Sequence, residues 1–140
     1  MGKRTKPDYK IGIVNPISAP NFTMNAAELN KYLPEGTDFN IVRAYWITKI
    51  KGEKKSGQHA HTNEDEIFII LQGNATLILD KGNGIKKEPM ATGALAWVPR
   101  YIWHGFEDFS DDCILLALSN TNYDPERKGY IEDYDKFKKR

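Results

Sequence analysis

The sequence has little of what several classes of protein depend on. Its single cysteine, Cys113, cannot form an internal disulfide, and this fits folding in a reducing compartment such as the cytoplasm. No apolar run approaches the ~20 residues of a membrane-spanning helix, and no apolar segment follows the basic first residues as in a secretory signal. The net charge of +1 provides no strong attraction to nucleic acid or to an anionic membrane. We therefore expect neither of these two partners.

The remaining composition is that of a globular protein. Hydrophobic residues make up 40% and charged residues 28% of the 140 positions, and no break in composition divides the chain. We predict one domain, 1–140, in which residues 1–8 form a solvated basic tail. Cys113 opens the apolar run 113–118 and is expected to be a small core residue.

From Phe39 onward the chain consists of short strand-like segments with a turn about every 8 to 12 residues, which is typical of an antiparallel sandwich or barrel. Two short peripheral helices are predicted, one after Asn25 over residues 26–32 and one at 133–140. A first strand, Tyr9 to Val14, lies far from the others in sequence. Because an unpaired strand leaves an exposed edge, we expect a homodimer in which this strand pairs with the second subunit.

The most informative segment runs from His59 to Gln72. Alternate residues of a strand share a face, so His59 and His61 project to the same side about 7 Å apart. Four polar residues then form a turn, and Glu66 opens an apolar strand. Two imidazoles and a carboxylate are thus expected to converge, and the chain's third histidine, His104, lies on another predicted strand.

Two spacings in the sequence resemble the paired motifs of the cupin superfamily. The first is His59-x-His61, four residues, Glu66, six residues and Gly73. The second is Gly93, five residues, Pro99 and then His104. The chain departs from the second motif where its glycine and its closing asparagine stand, at Tyr101 and Asp108. The resemblance implies an all-β fold, a small antiparallel cupin-type β-barrel (jelly roll).

Within the cupins the chain is most similar to the nucleotide-sugar 3,4-ketoisomerases, which act on dTDP-4-keto-6-deoxyglucose. The similar stretches are 39–45, 51–53 leading to 57–61, 103–104 followed by 108–116, and 130–137, with the string around His59 the most specific. The resemblance implies an isomerase of deoxysugar biosynthesis that moves a ketone from C4 to C3 without a cofactor. It also implies a dimer that exchanges its N-terminal strands.

The same resemblance implies roles for individual residues. His59 is expected to be the base and acid at carbon, and His61 is expected to carry a proton between the two oxygens. The resemblance implies Arg43 and Tyr45 as substrate contacts, and Lys55, Glu66, Trp97 and His104 are further predicted contacts. The family leads us to expect an arginine just before Gly57, where this chain has Ser56. We expect a lysine such as Lys55 to replace it as a point charge, without the bidentate fork that an arginine offers a phosphate.

Several alternatives stay open. Glu66 stands where the ketoisomerases carry a glutamine, and His59, His61, Glu66 and His104 together suit a divalent transition metal. A metal-dependent cupin enzyme and a non-catalytic sugar-binding cupin are therefore rival hypotheses. Glu66 could instead orient an imidazole, and Arg43 and Tyr45 could be a structural pair. The aromatic residues Trp97, Trp103 and Phe106 fit a core better than a stacking wall.

Overall fold

The computed structural model describes residues 7–140, and the first six residues of the predicted basic tail lie outside this range. The described chain is nearly all β. The elements in order are β1 Lys10–Ile13, β2 Pro16–Ser18, β3 Thr23–Asn25, a 3-10 turn Leu29–Lys31, β4 Arg43–Ile47, β5 Ala60–His61, β6 Glu66–Gln72, β7 Asn74–Asp80, β8 Lys86–Ala91, β9 Ala94–Val98, β10 Trp103–Glu107, β11 Ile114–Ser119, β12 Tyr130–Ile131 and α1 Tyr134–Lys138.

The strands form two main sheets, and every pair is antiparallel. One sheet has the order β1-β9-β6-β11-β4, and the other has the order β10-β7-β8. Two small ribbons, β12-β5 and β2-β3, flank them. The predicted antiparallel all-β class is confirmed, whereas the strand pairing found within residues 7–140 does not close into a barrel.

The main core lies between the two sheets. Phe68, Ala96 and Ala117 occupy one row across neighbouring strands of the five-stranded sheet, so their side chains share its inner face. They pack against Leu77 and Leu79 of the three-stranded sheet, which are fully buried. Polar residues lie at one end of this core, which we call its open end. They are Arg43 at the start of β4, Glu66 at the start of β6 and His104 in β10.

The outer face of the five-stranded sheet is also apolar. Ile67, Ile69 and Trp97 lie on it, and part of the N-terminal segment covers them. Phe39 contacts Trp97 edge to face with 5.1 Å between ring centroids. Because β6 and β9 are covered on both faces, they read as continuous apolar runs rather than as alternating ones.

The N-terminal region differs from the prediction in two ways. β1 pairs with β9 of the same chain, so the premise that it lacks a partner is wrong. Asn25 lies in β3 opposite Pro16 and caps no helix, and only a 3-10 turn forms where a helix over residues 26–32 was predicted. A helix this short gains too few hydrogen bonds to offset the cost of its first turn.

The C-terminal helix is confirmed, with narrower bounds. The Asp133 carboxylate accepts hydrogen bonds from the backbone N–H groups of Asp135 and Lys136, which fixes the start of α1. Phe137 is buried and its ring lies 5.6 Å from that of Trp103, so the helix covers the outside of β10. Neither helical segment in residues 7–140 is long and apolar enough to cross a membrane.

Both departures from the second motif occur where the backbone is left-handed. Tyr101 has a φ of 67° and Asp108 a φ of 53°, a region that glycine and asparagine tolerate better than other residues. The ring of Tyr101 lies 4.2 Å from the guanidinium of Arg140, which gives the strained residue a contact with the end of the chain. Both positions therefore have a backbone conformation that suits the glycine and asparagine of the motif.

Candidate active site

Two short strand contacts place the three histidines. His59 and His104 face each other, with the N–H of His59 donating to the carbonyl of His104 at 3.0 Å and the reverse bond at 2.8 Å. His61 belongs to β5, which pairs with Tyr130 of β12. These contacts direct all three imidazoles toward Glu66 at the start of β6. The structure thus brings together the four residues that the two motifs singled out.

The atoms at the centre of the site are close enough for direct interaction. His59 Nε2 and His61 Nε2 lie 3.1 Å apart. Glu66 Oε1 lies 2.9 Å from His61 Nε2 and 3.6 Å from His104 Nε2. His104 Nδ1 lies 2.9 Å from the carbonyl oxygen of Ile102, and it must carry a proton because that carbonyl only accepts.

Glu66 is a buried carboxylate with several donors around it. Burial by itself would raise its pKa, but the imidazoles of His104 and His61, whose Nε2 atoms lie 3.6 Å and 2.9 Å from Oε1, outweigh burial and hold the pKa well below its usual range. The Tyr45 hydroxyl donates to the second oxygen, Oε2. Burial and the negative charge of Glu66 raise the pKa of Tyr45 far above its ordinary value, so the phenol keeps its proton.

His59 has the opposite character. Burial, followed by the positive charge that His104 and His61 can carry, lowers the pKa of His59 to about 2. The imidazole is therefore neutral near physiological pH, and one of its ring nitrogens carries no proton. Because the ionised Glu66 only accepts, His61 Nε2 carries the proton that links the two groups. An imidazole with an unprotonated nitrogen thus lies next to an imidazole that already holds a proton.

A second buried ion pair supports this cluster. Arg43 donates to Glu64 Oε2 at 2.9 Å, and the Thr121 hydroxyl donates to Oε1 at 2.7 Å. The Arg43 guanidinium also lies 5.1 Å from the centre of the Tyr45 ring. The structure thus contains the structural pair that was one of two predictions for Arg43. His61 Nδ1 is buried 3.8 Å from Glu64 Oε1 and has no hydrogen-bond partner within residues 7–140.

Two adjoining cavities open onto the imidazoles. One, of about 250 Å³, is lined by His59 and His104 and extends to Ser56 and Gly57. The other, of about 370 Å³, is lined by His59 and His61. Tyr45, His59 and Arg127 line both cavities, and the aromatic residues Tyr123 and Tyr130 line the second. Together they could hold an elongated ligand with one end at the histidines.

Two of the predicted substrate contacts do not reach these cavities, and both need correction. Trp97 is buried on the opposite face of the five-stranded sheet, since it lies beside Ile67, and Ile67 points away from the neighbouring Glu66. Lys55 is exposed and pairs with Glu53 at 2.9 Å. Trp97 is a core residue, as its alternative reading had it, and so is Trp103, which packs under α1.

Sequence reasoning also missed four residues of the site, namely Glu64, Tyr123, Arg127 and Tyr130. Three of them lie in or next to the irregular segment 120–130, which has no periodic pattern to indicate its direction. Tyr130 could have been found, because the similarity at 130–137 marked the segment. Its ring centroid lies 4.5 Å from that of His61.

The donor atoms of the three histidines and Glu66 have the spacing of a possible metal site. Each of the four residues offers one ligand atom, and these atoms all lie within 4.8 Å of one another. In a tetrahedral site with ligands at about 2.0 to 2.2 Å, neighbouring ligand atoms lie roughly 3.4 Å apart. The separations of 3.1 Å and 2.9 Å around His61 and of 3.6 Å between His104 and Glu66 are within a few tenths of an ångström of this value. The four residues therefore fit such an ion.

Comparison with known proteins gives a family and close relatives. The family described as FdtA (WxcM-like, C-terminal) matches residues 8–140. The chain is 38% identical over 115 residues to a TDP-4-oxo-6-deoxy-alpha-D-glucose-3,4-oxoisomerase of Aneurinibacillus thermoaerophilus, a match that covers 81% of this chain and 78% of the relative.

Solved structures agree with this result. A TDP-quinovose 3,4-ketoisomerase, WlaRB from Campylobacter jejuni, has a TM-score of 0.81 at 28% identity, covering 95% of this chain and 98% of its own. A TDP-fucose-3,4-ketoisomerase, WlaRA from the same organism, has a TM-score of 0.78 at 30% identity and covers 95% of both chains. The fold and the sequence thus lead to the same group of proteins.

The Arg43 and Glu64 pair generates a prediction about stability. Replacing Arg43 with methionine should lower the free energy of unfolding by about 3 to 5 kcal/mol, because it leaves the Glu64 carboxylate buried and uncompensated. Urea denaturation of Arg43→Met, Glu64→Gln and the double variant measures the coupling between the two residues. The double variant should recover part of the loss. Equal stability of Arg43→Met and wild type would contradict the structural role.

Proposed function

The chain belongs to the FdtA (WxcM-like, C-terminal) family, and from this membership we propose that it is a TDP-sugar 3,4-ketoisomerase. Its substrate is a TDP-linked 4-keto-6-deoxyglucose, and its product is the corresponding 3-keto sugar of deoxysugar biosynthesis. The observation that carries this proposal is the contact of His59 Nε2 with His61 Nε2 at 3.1 Å, at the junction of two cavities.

The reaction needs proton transfers only. A base removes the hydrogen on C3, the C4 carbonyl oxygen gains a proton, and an enediol forms. The C3 hydroxyl then loses its proton while a proton is delivered to C4, which leaves a ketone at C3 and a hydroxyl at C4. Because C3 is oxidised as C4 is reduced, the net change is an isomerisation that needs no external oxidant, and we propose that the enzyme uses no cofactor.

The residues of the site suit these steps. His59 is neutral and lines both cavities, so it acts as the base and acid at carbon. His61 holds a proton against Glu66 and moves it between the two oxygens. Glu66 and Tyr45 orient His61, and His104 contributes its Nε2 edge beside them. Arg43 and Tyr45 contact the sugar of the substrate from the wall of the second cavity.

We also propose the finer architecture and the assembly. Two antiparallel sheets with the site between them fit a cupin-type jelly roll. The outer face of the five-stranded sheet leaves Trp46 exposed to 67%, and Ile17, Phe22 and Met24 of the β2-β3 hairpin are also exposed. An apolar surface of this kind is suited to a second copy of the chain, so the enzyme is a homodimer. Its place is the cytoplasm.

One observation favours a second function. The four donor atoms around Glu66 fit a divalent transition metal, held by His59, His61, Glu66 and His104. When bound, such an ion would act as a Lewis acid toward a carbonyl oxygen. The chain would then be a metal-dependent cupin enzyme.

The role of His59 can be tested by turnover in deuterated water. Wild type should convert the TDP-4-keto sugar into a 3-keto product that carries deuterium at C4, as seen by NMR. His59→Asn should lower kcat at least about 100-fold because the carbon base is lost. His61→Asn should lose product formation yet retain slow deuterium exchange at C3. Absence of a 3-keto product from wild type would refute the function, and full activity of His59→Asn would refute the role.

An elemental measurement separates the two candidate functions. The cofactor-free isomerase should turn over with less than a stoichiometric amount of manganese, iron, nickel or zinc, and chelation should leave its rate unchanged. Stoichiometric metal that is lost together with activity on chelation would instead support the metal enzyme.

The assembly can be tested with surface variants. Light scattering should give about twice the chain mass of 16.0 kDa for wild type. A Trp46→Ser, Phe22→Ser variant should shift the protein toward monomer because it removes apolar surface from the interface. Ile85→Ser is the matched control, since Ile85 is also exposed but precedes β8 in the other sheet. A monomeric wild type would contradict the proposal.

A further inference from the structure

Resting on the proposed function, we propose that Arg127 binds the diphosphate of the nucleotide-sugar substrate. Arg127 lines both cavities, on the side where they meet at His59 and Tyr45. A nucleotide sugar that presents its ring to the imidazoles must pass its two phosphates along this wall. Arg127 is then the cation that meets them.

The segment that carries Arg127 holds it in a fixed position. The Asp124 carboxylate accepts from the N–H groups of Glu126 at 2.9 Å and Lys128 at 3.1 Å, and the Arg127 N–H donates to the Asp124 carbonyl at 3.0 Å. Arg127 itself has a left-handed φ of 54°, which a side chain rarely adopts without tertiary support.

A second set of contacts ties this segment to the catalytic strand. The Gly129 carbonyl accepts from the N–H of Thr62 at 2.8 Å and from its hydroxyl at 3.2 Å. Thr62 directly follows His61. The position of Arg127 relative to the imidazoles is therefore set by hydrogen bonds on both sides of the residue.

The guanidinium is oriented for an anion. It lies 4.0 Å from the centre of the Tyr130 ring, and Nε donates to Glu132 Oε1 at 2.7 Å. Glu132 is its only hydrogen-bond partner within the described residues, so four of its five N–H groups remain for a ligand. A planar fork with free N–H edges matches the geometry of phosphate oxygens.

The charges around the two cavities single out the same residue. Arg43, the other arginine of the lining, is paired with the buried Glu64. Glu132 is more than half exposed, so solvent screens its charge and Arg127 is less completely compensated. The lining of the first cavity also includes Ser56, whose hydroxyl accepts from the Phe106 N–H at 2.9 Å. Arg127 is thus the cation of the described lining that is available to an incoming diphosphate.

The test compares the substrate, TDP and thymidine. For Arg127→Gln we expect the KM for the TDP-4-keto sugar to rise about 10- to 100-fold, as the loss of hydrogen bonds to a charged group implies. The kcat should change less than about threefold, because contacts away from the reacting carbons bind substrate and transition state alike. By calorimetry the Kd for TDP should rise by the same factor and the Kd for thymidine should stay within twofold.

Two further variants serve as controls. Arg127→Lys keeps the charge without the planar fork and should show an intermediate loss of TDP affinity. Lys128→Gln changes the neighbouring residue, which is exposed and pairs with Glu126 outside the two cavities, and it should behave as wild type. Thermal melting of each variant verifies that the segment still folds.

The possible outcomes separate this inference from the proposed function. An unchanged KM and an unchanged TDP affinity in Arg127→Gln would overturn the inference, and an equal loss of thymidine and TDP binding would do so by showing a purely structural role. Wild type that binds TDP but makes no 3-keto product refutes the proposed function, while the TDP titration of Arg127→Gln still decides the role of Arg127. Wild type that binds no TDP overturns both.

Discussion

The site depends on one buried charge. The Glu66 carboxylate is almost inaccessible to water, and an ion in such surroundings is costly unless donors surround it. Its donors come from three other strands, with Tyr45 on β4, His61 on β5 and His104 on β10. Because β4 and β10 belong to different main sheets, the carboxylate connects both layers at the open end of the core. The contacts that offset the buried charge of Glu66 are therefore the same contacts that assemble the site.

This arrangement also separates the protonation states of neighbouring groups. Hydrogen bonds keep Glu66 ionised in spite of its burial, whereas burial and nearby imidazoles keep His59 neutral. His61 lies between them, in contact with the base on one side and the carboxylate on the other. His59, His61 and Glu66 thereby form a chain of proton donors and acceptors, and none of the three has to change its protonation state before the reaction begins. Such pairs of groups with pKa values pushed apart are typical of sites for acid and base chemistry.

The sequence predicted the centre of this site well because the centre is built on strands. Alternation placed His59 beside His61 and Arg43 beside Tyr45, and a turn of four polar residues brought Glu66 back to them. The same rule failed for Trp97, since all of β9 is buried and a period of two does not tell which face holds the site. The pairing of β1 with β9 joins distant segments, and Arg127 lies in a loop with no period. The β1–β9 pairing and the position of Arg127 both depend on tertiary contacts, which a local sequence pattern does not show.

The site therefore has two parts with different constraints. The imidazoles and Glu66 lie on regular strands, where a shift of one residue would turn each side chain to the other face. The rim that includes Tyr123 and Arg127 lies on the irregular segment between β11 and β12, which is anchored at Thr62 but otherwise needs no register. Loops of this kind accept changes in sequence that strands cannot. Where the resemblance to the ketoisomerases implies an arginine before Gly57, this chain has Ser56, and the cation that lines the same cavity is Arg127. A strand-borne catalytic centre allows the groups that hold the rest of the substrate to be placed on a different segment of the chain.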